Sequence, residues 1–170
     1  MDFYRQLGTG VSSLTFGVAL SVFIIAAAYG FVSGLSAWLL FAASFLLMLR
    51  FWWRYNELFV QSIPSRNYWH FLFDFAVSFF GIMSVLAVND IRAWAMLGGL
   101  AMMSSLIRCG LSWKSAGKAM RELKKTAIGA LAMLVIFGAV YLLSASISHA
   151  TLAAAMLVIV LVFVIYSSRK

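Results

Sequence analysis

In "YWHFLFDFAVSFFGIMSVLAV", residues 68–88, one carboxylate, Asp74, stands inside a long apolar run. His70 precedes it by one helical turn, so the two would share a helix face. An imidazole and a carboxylate in that relation could titrate together. Two cations fall at a matching depth: Arg50 in "LLMLRFWWRY" and Arg108 at the end of "AMMSSLIRC". A lone charge is costly in lipid, so such groups pair with each other or mark ion and proton pathways. Two chemistries follow for Asp74, Arg50, Arg108 and His70. One is an ion pair locking three helices, with Arg50 as first partner of Asp74 and Arg108 as second. The other is a charged ring or proton site at the inner mouth of a pathway. His70 either joins that chemistry or sits at the interface like Tyr68 and Trp69.

The chain offers little else for catalysis. "HExxH", "GxSxG" and "GxxxxGK[ST]" are absent, and no cluster of His, Cys, Asp and Glu suits a metal. Hydrolysis or group transfer in the membrane needs a nucleophile, a metal or an acid–base pair. No catalytic residue, metal or cofactor is therefore expected. The single cysteine, Cys109, excludes an intrachain disulfide and reads as a small packing residue. Coupled transporters break their helices at midplane polar groups. Here the one proline, Pro64, lies outside every apolar run.

The elements that position these groups are set by composition. The 170 residues are 64% hydrophobic and 11% charged, whereas soluble domains carry about 25% charged residues. Apolar runs of about 20 residues read as membrane spans. Six occur, at about 11–32, 34–53, 69–88, 93–112, 126–144 and 150–167. "AAAMLVIVLVFVIY" (153–166) lacks the period-two alternation of barrel strands. The expected fold is all-α, a single domain of six transmembrane helices arranged as three hairpins. "SSLTFGVALSVFIIAAAYG" (12–30) resembles a secretory signal, but its weakly basic flank and long apolar run favour an uncleaved first span.

Six spans put twelve of the 13 Lys and Arg on one side. Only Arg92, beside Asp90, lies opposite. The positive-inside rule then makes both termini cytoplasmic, and the expected location is the bacterial inner (plasma) membrane. The same rule accounts for the net charge of +8, so nucleic-acid binding is not expected.

The outer turns, "GFVSG", "VNDIR" and "SASISH", are too short to build a ligand-binding domain. The longer inner segment "GLSWKSAGKAMRELKKTA" (110–127) carries Lys114, Lys118, Arg121, Lys124 and Lys125. Trp113, Ala116, Met120 and Leu123 recur at helical spacing against those cations. This predicts either a basic amphipathic helix on the anionic inner leaflet or a solvated extension of span 4 or 5. A soluble cytoplasmic protein is a further possible partner for this surface.

Small residues mark where helices approach or a pore is lined. Ser13, Gly17 and Ser21 recur every four residues in span 1. Asp74, Ser78 and Gly81 share a face of span 3, and Ala95 and Gly99 a face of span 4. Span 6 is bulky and β-branched and is expected to face lipid. "FGVALSVF" (16–23) and "FDFAVSFF" (73–80) match at four positions, a weak repeat that the biased composition explains more readily than duplication.

"FWWRYNELF" followed by "YWHFLFDFAVSFF" resembles the second-to-third helix region of the bacterial six-helix potassium channels related to the lysosomal potassium channel. The resemblance covers roughly 30 residues. That family's first helix carries R-x-x-x-F-S-D, and here "RQLGTGVSSLTF" lacks F-S-D, so no pore residue transfers. The resemblance implies a homo-oligomeric channel. Two functions stay open: a small homo-oligomeric ion channel or channel-like pore lined by span 1 or 3, and a non-conducting membrane sensor or scaffold that holds a soluble partner on its basic inner surface.

Overall fold

A computed structural model describes residues 3–63 and 68–168. Pro64, Arg66, Arg169 and Lys170 lie outside the described residues. The described residues form six α-helices: α1 (Phe3–Ala28), α2 (Gly34–Tyr55), α3 (Tyr68–Leu86), α4 (Ile91–Ser112), α5 (Met120–Leu143) and α6 (His149–Ser168). Among the described residues five helical segments are long and apolar enough to cross a membrane, namely Gly34–Phe59, Tyr68–Leu86, Ile91–Ser115, Gly117–Leu143 and His149–Ser167. Within α1 the apolar stretch Ser13–Ala28 is shorter. Large apolar side chains such as Leu14, Ile24, Ile128, Val135, Leu142 and Val162 stand exposed on the outer faces. Helices apolar on both faces need lipid around them, and the chain is an integral membrane protein.

Short-range chemistry ends and starts these helices. Gly30 and Gly34 take the left-handed backbone (φ +70° and +80°) that closes α1 and turns the chain into α2. The Asp90 carboxylate caps α4, accepting from the backbone N–H groups of Arg92 (2.9 Å) and Ala93 (3.2 Å). Asn89 ties the two neighbouring turns together, accepting from the Ser33 backbone N–H at 3.0 Å and donating to the Phe31 carbonyl. Arg92 reaches past Asp90 to the Ser144 hydroxyl (3.0 Å) and so joins the ends of α4 and α5.

The packing differs from three side-by-side hairpins. The closest pairings are α3 with α4, α4 with α5, and α2 with α6, while α1 and α2 barely touch along their backbones. α4 is the central and most buried helix. It can be approached closely because of Gly98. A Cβ there would lie 2.4 Å from the Phe137 ring, so only glycine admits that ring, which also packs on Trp94. α6 is not wholly lipid-facing. Leu152, Ala153, Met156 and Val160 are buried as part of the same core as Leu40 and Ala43 of α2, leaving Val158, Val162 and Ile165 outward. The bulky, β-branched composition that suggested a lipid-facing helix serves packing equally well.

At the basic end of the bundle α2 runs into a π-helical segment, Asn56–Ser62. α4 leads into two short 3-10 turns, Trp113–Ser115 and Gly117–Ala119, before α5 begins. Of the two expected forms, a separate surface helix and an extension of span 4 or 5, the first is absent, because Gly117 at φ +45° breaks the segment. Arg121, Lys124 and Lys125 lie at the start of α5, while Lys114 and Lys118 lie in the two 3-10 turns. The apolar spacing still predicts burial, since Ala116 and Leu123 pack with Leu58, Phe59, Ile63 and Cys109. Trp113 is the exception. It is exposed, with the Lys124 ammonium 5.8 Å from its ring centre.

Candidate functional site

Asp74 is paired, and its partner is Arg108. The guanidinium Nε donates to the carboxylate Oδ1 at 2.7 Å, with the two side chains 1% and 4% exposed. α3 carries Asp74 on the face packed against α4, and α4 presents Arg108 one turn before its end. Ser112, a turn later on α4, accepts a second bond from the same guanidinium. Phe59 of the π-helical segment lies beneath it, 4.3 Å from ring centre to guanidinium carbon. Charge, hydrogen bond and ring face together offset the loss of hydration at this buried cation.

Arg50, expected as the first partner, is engaged elsewhere. Its Nε donates to the Ser167 hydroxyl at 2.7 Å and its Nη2 to the Ser167 backbone carbonyl. α2 packs on α6 and turns Arg50 towards it. The last carbonyls of α6 lack intrahelical donors and carry partial negative charge, so a guanidinium suits them. His70 is buried, unlike its exposed neighbours Tyr68 and Trp69, with Nε2 3.4 Å from the Leu111 carbonyl of α4. It belongs to the α3–α4 contact, not to the aromatic belt.

Asp74 also lines a half-open cavity of about 100 Å³ bordered by α1 to α4 with Phe137 of α5. Ser78 and Gly81 continue the lining along α3, as their spacing suggested, and Ser84 follows. From Asp74 to Ser84 is about 15 Å at ~1.5 Å per residue, roughly half of a ~30 Å hydrocarbon core. The hydroxyls along it are spent locally. Ser78 donates to the Asp74 carbonyl (3.2 Å) and Ser84 to the Gly81 carbonyl (2.7 Å). Ser44 of α2 accepts the Trp94 indole N–H at 2.8 Å. Trp52 differs. Its ring lines the cavity and stacks on Phe16 (centroids 4.3 Å apart), while its Nε1 is buried without a hydrogen-bond partner among the described residues.

The other small residues separate. Ser13, Gly17 and Ser21 of α1 are all exposed, and Ser21 donates back to the Gly17 carbonyl at 2.9 Å. Gly99 instead packs against Leu134 and Phe137 of α5. Lys114, Lys118, Arg121, Lys124 and Lys125 are exposed. Lys125 pairs with Glu122 at 2.9 Å, and Glu122 also accepts from Arg54 at 2.8 Å. Arg54 further pairs with Glu57 at 3.0 Å, so it bridges α2, the π-helical segment and α5.

Sequence reasoning passed over Trp52, Phe59, Ser112 and Ser167. Ser112 had a signal, being one turn from Arg108. The others did not, because their roles depend on which way α2 and its π-helical continuation face. Among the described residues no group of three His, Cys, Asp or Glu is placed to hold a metal ion. No protein-family model, curated protein or solved structure matches this chain.

Proposed function

We propose that this integral membrane protein is a small channel-like pore. Its pathway would be the cavity between α1 and α4, held closed at the basic end by the Arg108–Asp74 pair over Phe59. The observation that carries this reading is that Asp74, Ser78 and Gly81 turn one continuous face of α3 into that cavity. A carboxylate at a pathway mouth, with hydroxyls beyond it, suits a cation better than an anion. Copies would associate through the exposed Ser13–Gly17–Ser21 stripe of α1, where small side chains permit close helix contact. The resemblance to six-helix potassium channels points the same way. Both termini and the basic end would then be cytoplasmic.

Gly81 supplies the test. A Cβ there meets no atom within 4 Å, so Gly81→Leu would fill the cavity without a clash at its root. In liposomes, wild-type protein should pass monovalent cations and the Gly81→Leu protein should not, at equal thermal stability. Equal flux through both, or none through wild type, overturns the pathway.

A non-conducting sensor or scaffold is the second reading, favoured by the exposure of all five cations at one end. Each would contribute about 1 kcal/mol at an anionic surface. Quenching of Trp113 fluorescence by brominated anionic lipid should fall when Lys118, Arg121, Lys124 and Lys125 are all changed to Gln. Unchanged quenching would leave the surface without this role.

A further inference from the structure

We propose that a second cleft, at the basic end of the bundle, binds a small zwitterion carrying one ammonium and one phosphate, with Lys118 holding the phosphate and Glu57 the ammonium. This site is separate from the cavity between α1 and α4 and does not depend on conduction.

The cleft has a volume of about 460 Å³, within the ~300–1,000 Å³ usual for ligand sites. One wall is formed by Arg54 and the π-helical residues Glu57 and Ser62, the other by Lys118 of the second 3-10 turn and Glu122 of α5. Leu58 and Ala116, also in the lining, are buried in one cluster with Leu123 and anchor the two walls. Arg54 clamps the walls together, donating to Glu57 at 3.0 Å and to Glu122 at 2.8 Å. A site held in shape in this way loses little affinity to ordering on binding.

The ligand class follows from which charges of the lining are already matched. Arg54 is committed to the two carboxylates. Glu122 has both oxygens engaged, Oε2 by Arg54 and Oε1 by Lys125 at 2.9 Å. Ser62 donates its O–H to the Glu57 carbonyl at 3.0 Å and keeps an oxygen that can accept. Glu57 uses only Oε2 for Arg54, and its side chain is 45% exposed. Lys118 is exposed and has no ion pair among the described residues. One carboxylate oxygen and one ammonium therefore stay open, on opposite walls. The four lining charges, two of each sign, cancel, so a simple anion or a simple cation gains one partner and meets one like charge. A ligand with both signs gains both. Its anion is a phosphate because an ammonium acts as a compact point charge with three rotatable donors, whereas bidentate grip on a carboxylate belongs to guanidinium. The lining lies past the apolar run 34–53 and before the run 126–144, at the headgroup level of the bilayer. A phosphatidylethanolamine headgroup and a free ammonium-bearing phosphodiester share the required chemistry.

The experiment is calorimetric titration of the full chain in maltoside micelles, which contain neither phosphate nor ammonium. Glycerophosphoethanolamine is the zwitterionic probe, and dimethyl phosphate and ethanolamine are its two halves. The zwitterion should bind about tenfold tighter than either half, the effect of one added hydrogen bond to a charged group. Lys118→Gln, a change at an exposed side chain, should bind the zwitterion no better than ethanolamine. Glu57→Gln, which keeps an oxygen for Arg54, should bind it no better than dimethyl phosphate. General attraction to a basic surface predicts the opposite for Glu57→Gln, since losing a carboxylate would then strengthen binding. No binding of the zwitterion, equal binding of either half, or tighter binding by Glu57→Gln overturns the proposal. Equal binding of β-alanine, whose anion is a carboxylate, overturns the phosphate. Native mass spectrometry from micelles holding equal phosphatidylethanolamine and phosphatidylglycerol then identifies the source. Preferential retention of phosphatidylethanolamine, lost in Lys118→Gln, assigns the zwitterion to the bilayer. Binding of the soluble probe without that preference assigns it to a free molecule.

Discussion

Asp74→Ala is the most informative single change. It leaves the Arg108 guanidinium 1% exposed and without its carboxylate. Breaking a buried pair from one side costs about 3–5 kcal/mol, because the surviving charge stays desolvated. Salt will not reduce the effect, since a pair this buried is poorly screened. The partner is named by a second change. Arg108→Met keeps an apolar stem over Phe59 and removes the charge that Asp74→Ala strands. The Asp74→Ala/Arg108→Met protein should therefore recover most of the loss. Recovery will be incomplete, because Ser112 loses the guanidinium that it accepts from, at about 1–3 kcal/mol for a buried polar group left unmatched. Combining Asp74→Ala with Arg50→Met should give no recovery, because Arg50 holds Ser167 and not Asp74. Reversible unfolding in detergent micelles, read by near-ultraviolet circular dichroism, supplies the four free energies of each cycle. A loss under about 1 kcal/mol for Asp74→Ala would mean that water reaches the pair. Recovery through Arg50 and none through Arg108 would refute the packing described here.

Arg50→Met should release the end of α6 from α2. Proteolysis near the C-terminus should speed up, while global stability falls by about 1.5–3 kcal/mol, the usual worth of a hydrogen bond to a charged group. Gly98→Ala should destabilise by about 1–3 kcal/mol through overpacking, because its Cβ would lie 2.4 Å from Phe137, and Phe137→Leu in the same chain should restore part of that loss. Lys118→Cys and Ser146→Cys, both at exposed positions at opposite ends of the bundle, should label from opposite faces of the membrane. A membrane-impermeant thiol reagent added outside intact cells should reach Ser146→Cys alone, and labelling of Lys118→Cys would invert the topology.

Local chemistry made much of this protein legible before its structure. Runs of about 20 apolar residues mark helices because backbone groups in lipid must bond within their own segment. Axial position is equally local, at a fixed rise per residue. The contact of Asp74 with Arg108 agrees with that rise, and the Asp74–Ser78–Gly81 face was read from its spacing. The apolar side of residues 116–123 was visible for the same reason. Azimuth was not. A helix apolar all round carries no stripe to say which side meets protein and which meets lipid. Whether Arg50 or Arg108 reached Asp74 thus depended on how α2 turned about its axis. That turn was set by contacts between distant segments: α2 against α6, and Phe137 seated in the gap that Gly98 leaves on α4. Only the assembled bundle could bring Trp52, Ser44 and Asp74 around one cavity, because side chains on separate helices share no spacing along the chain.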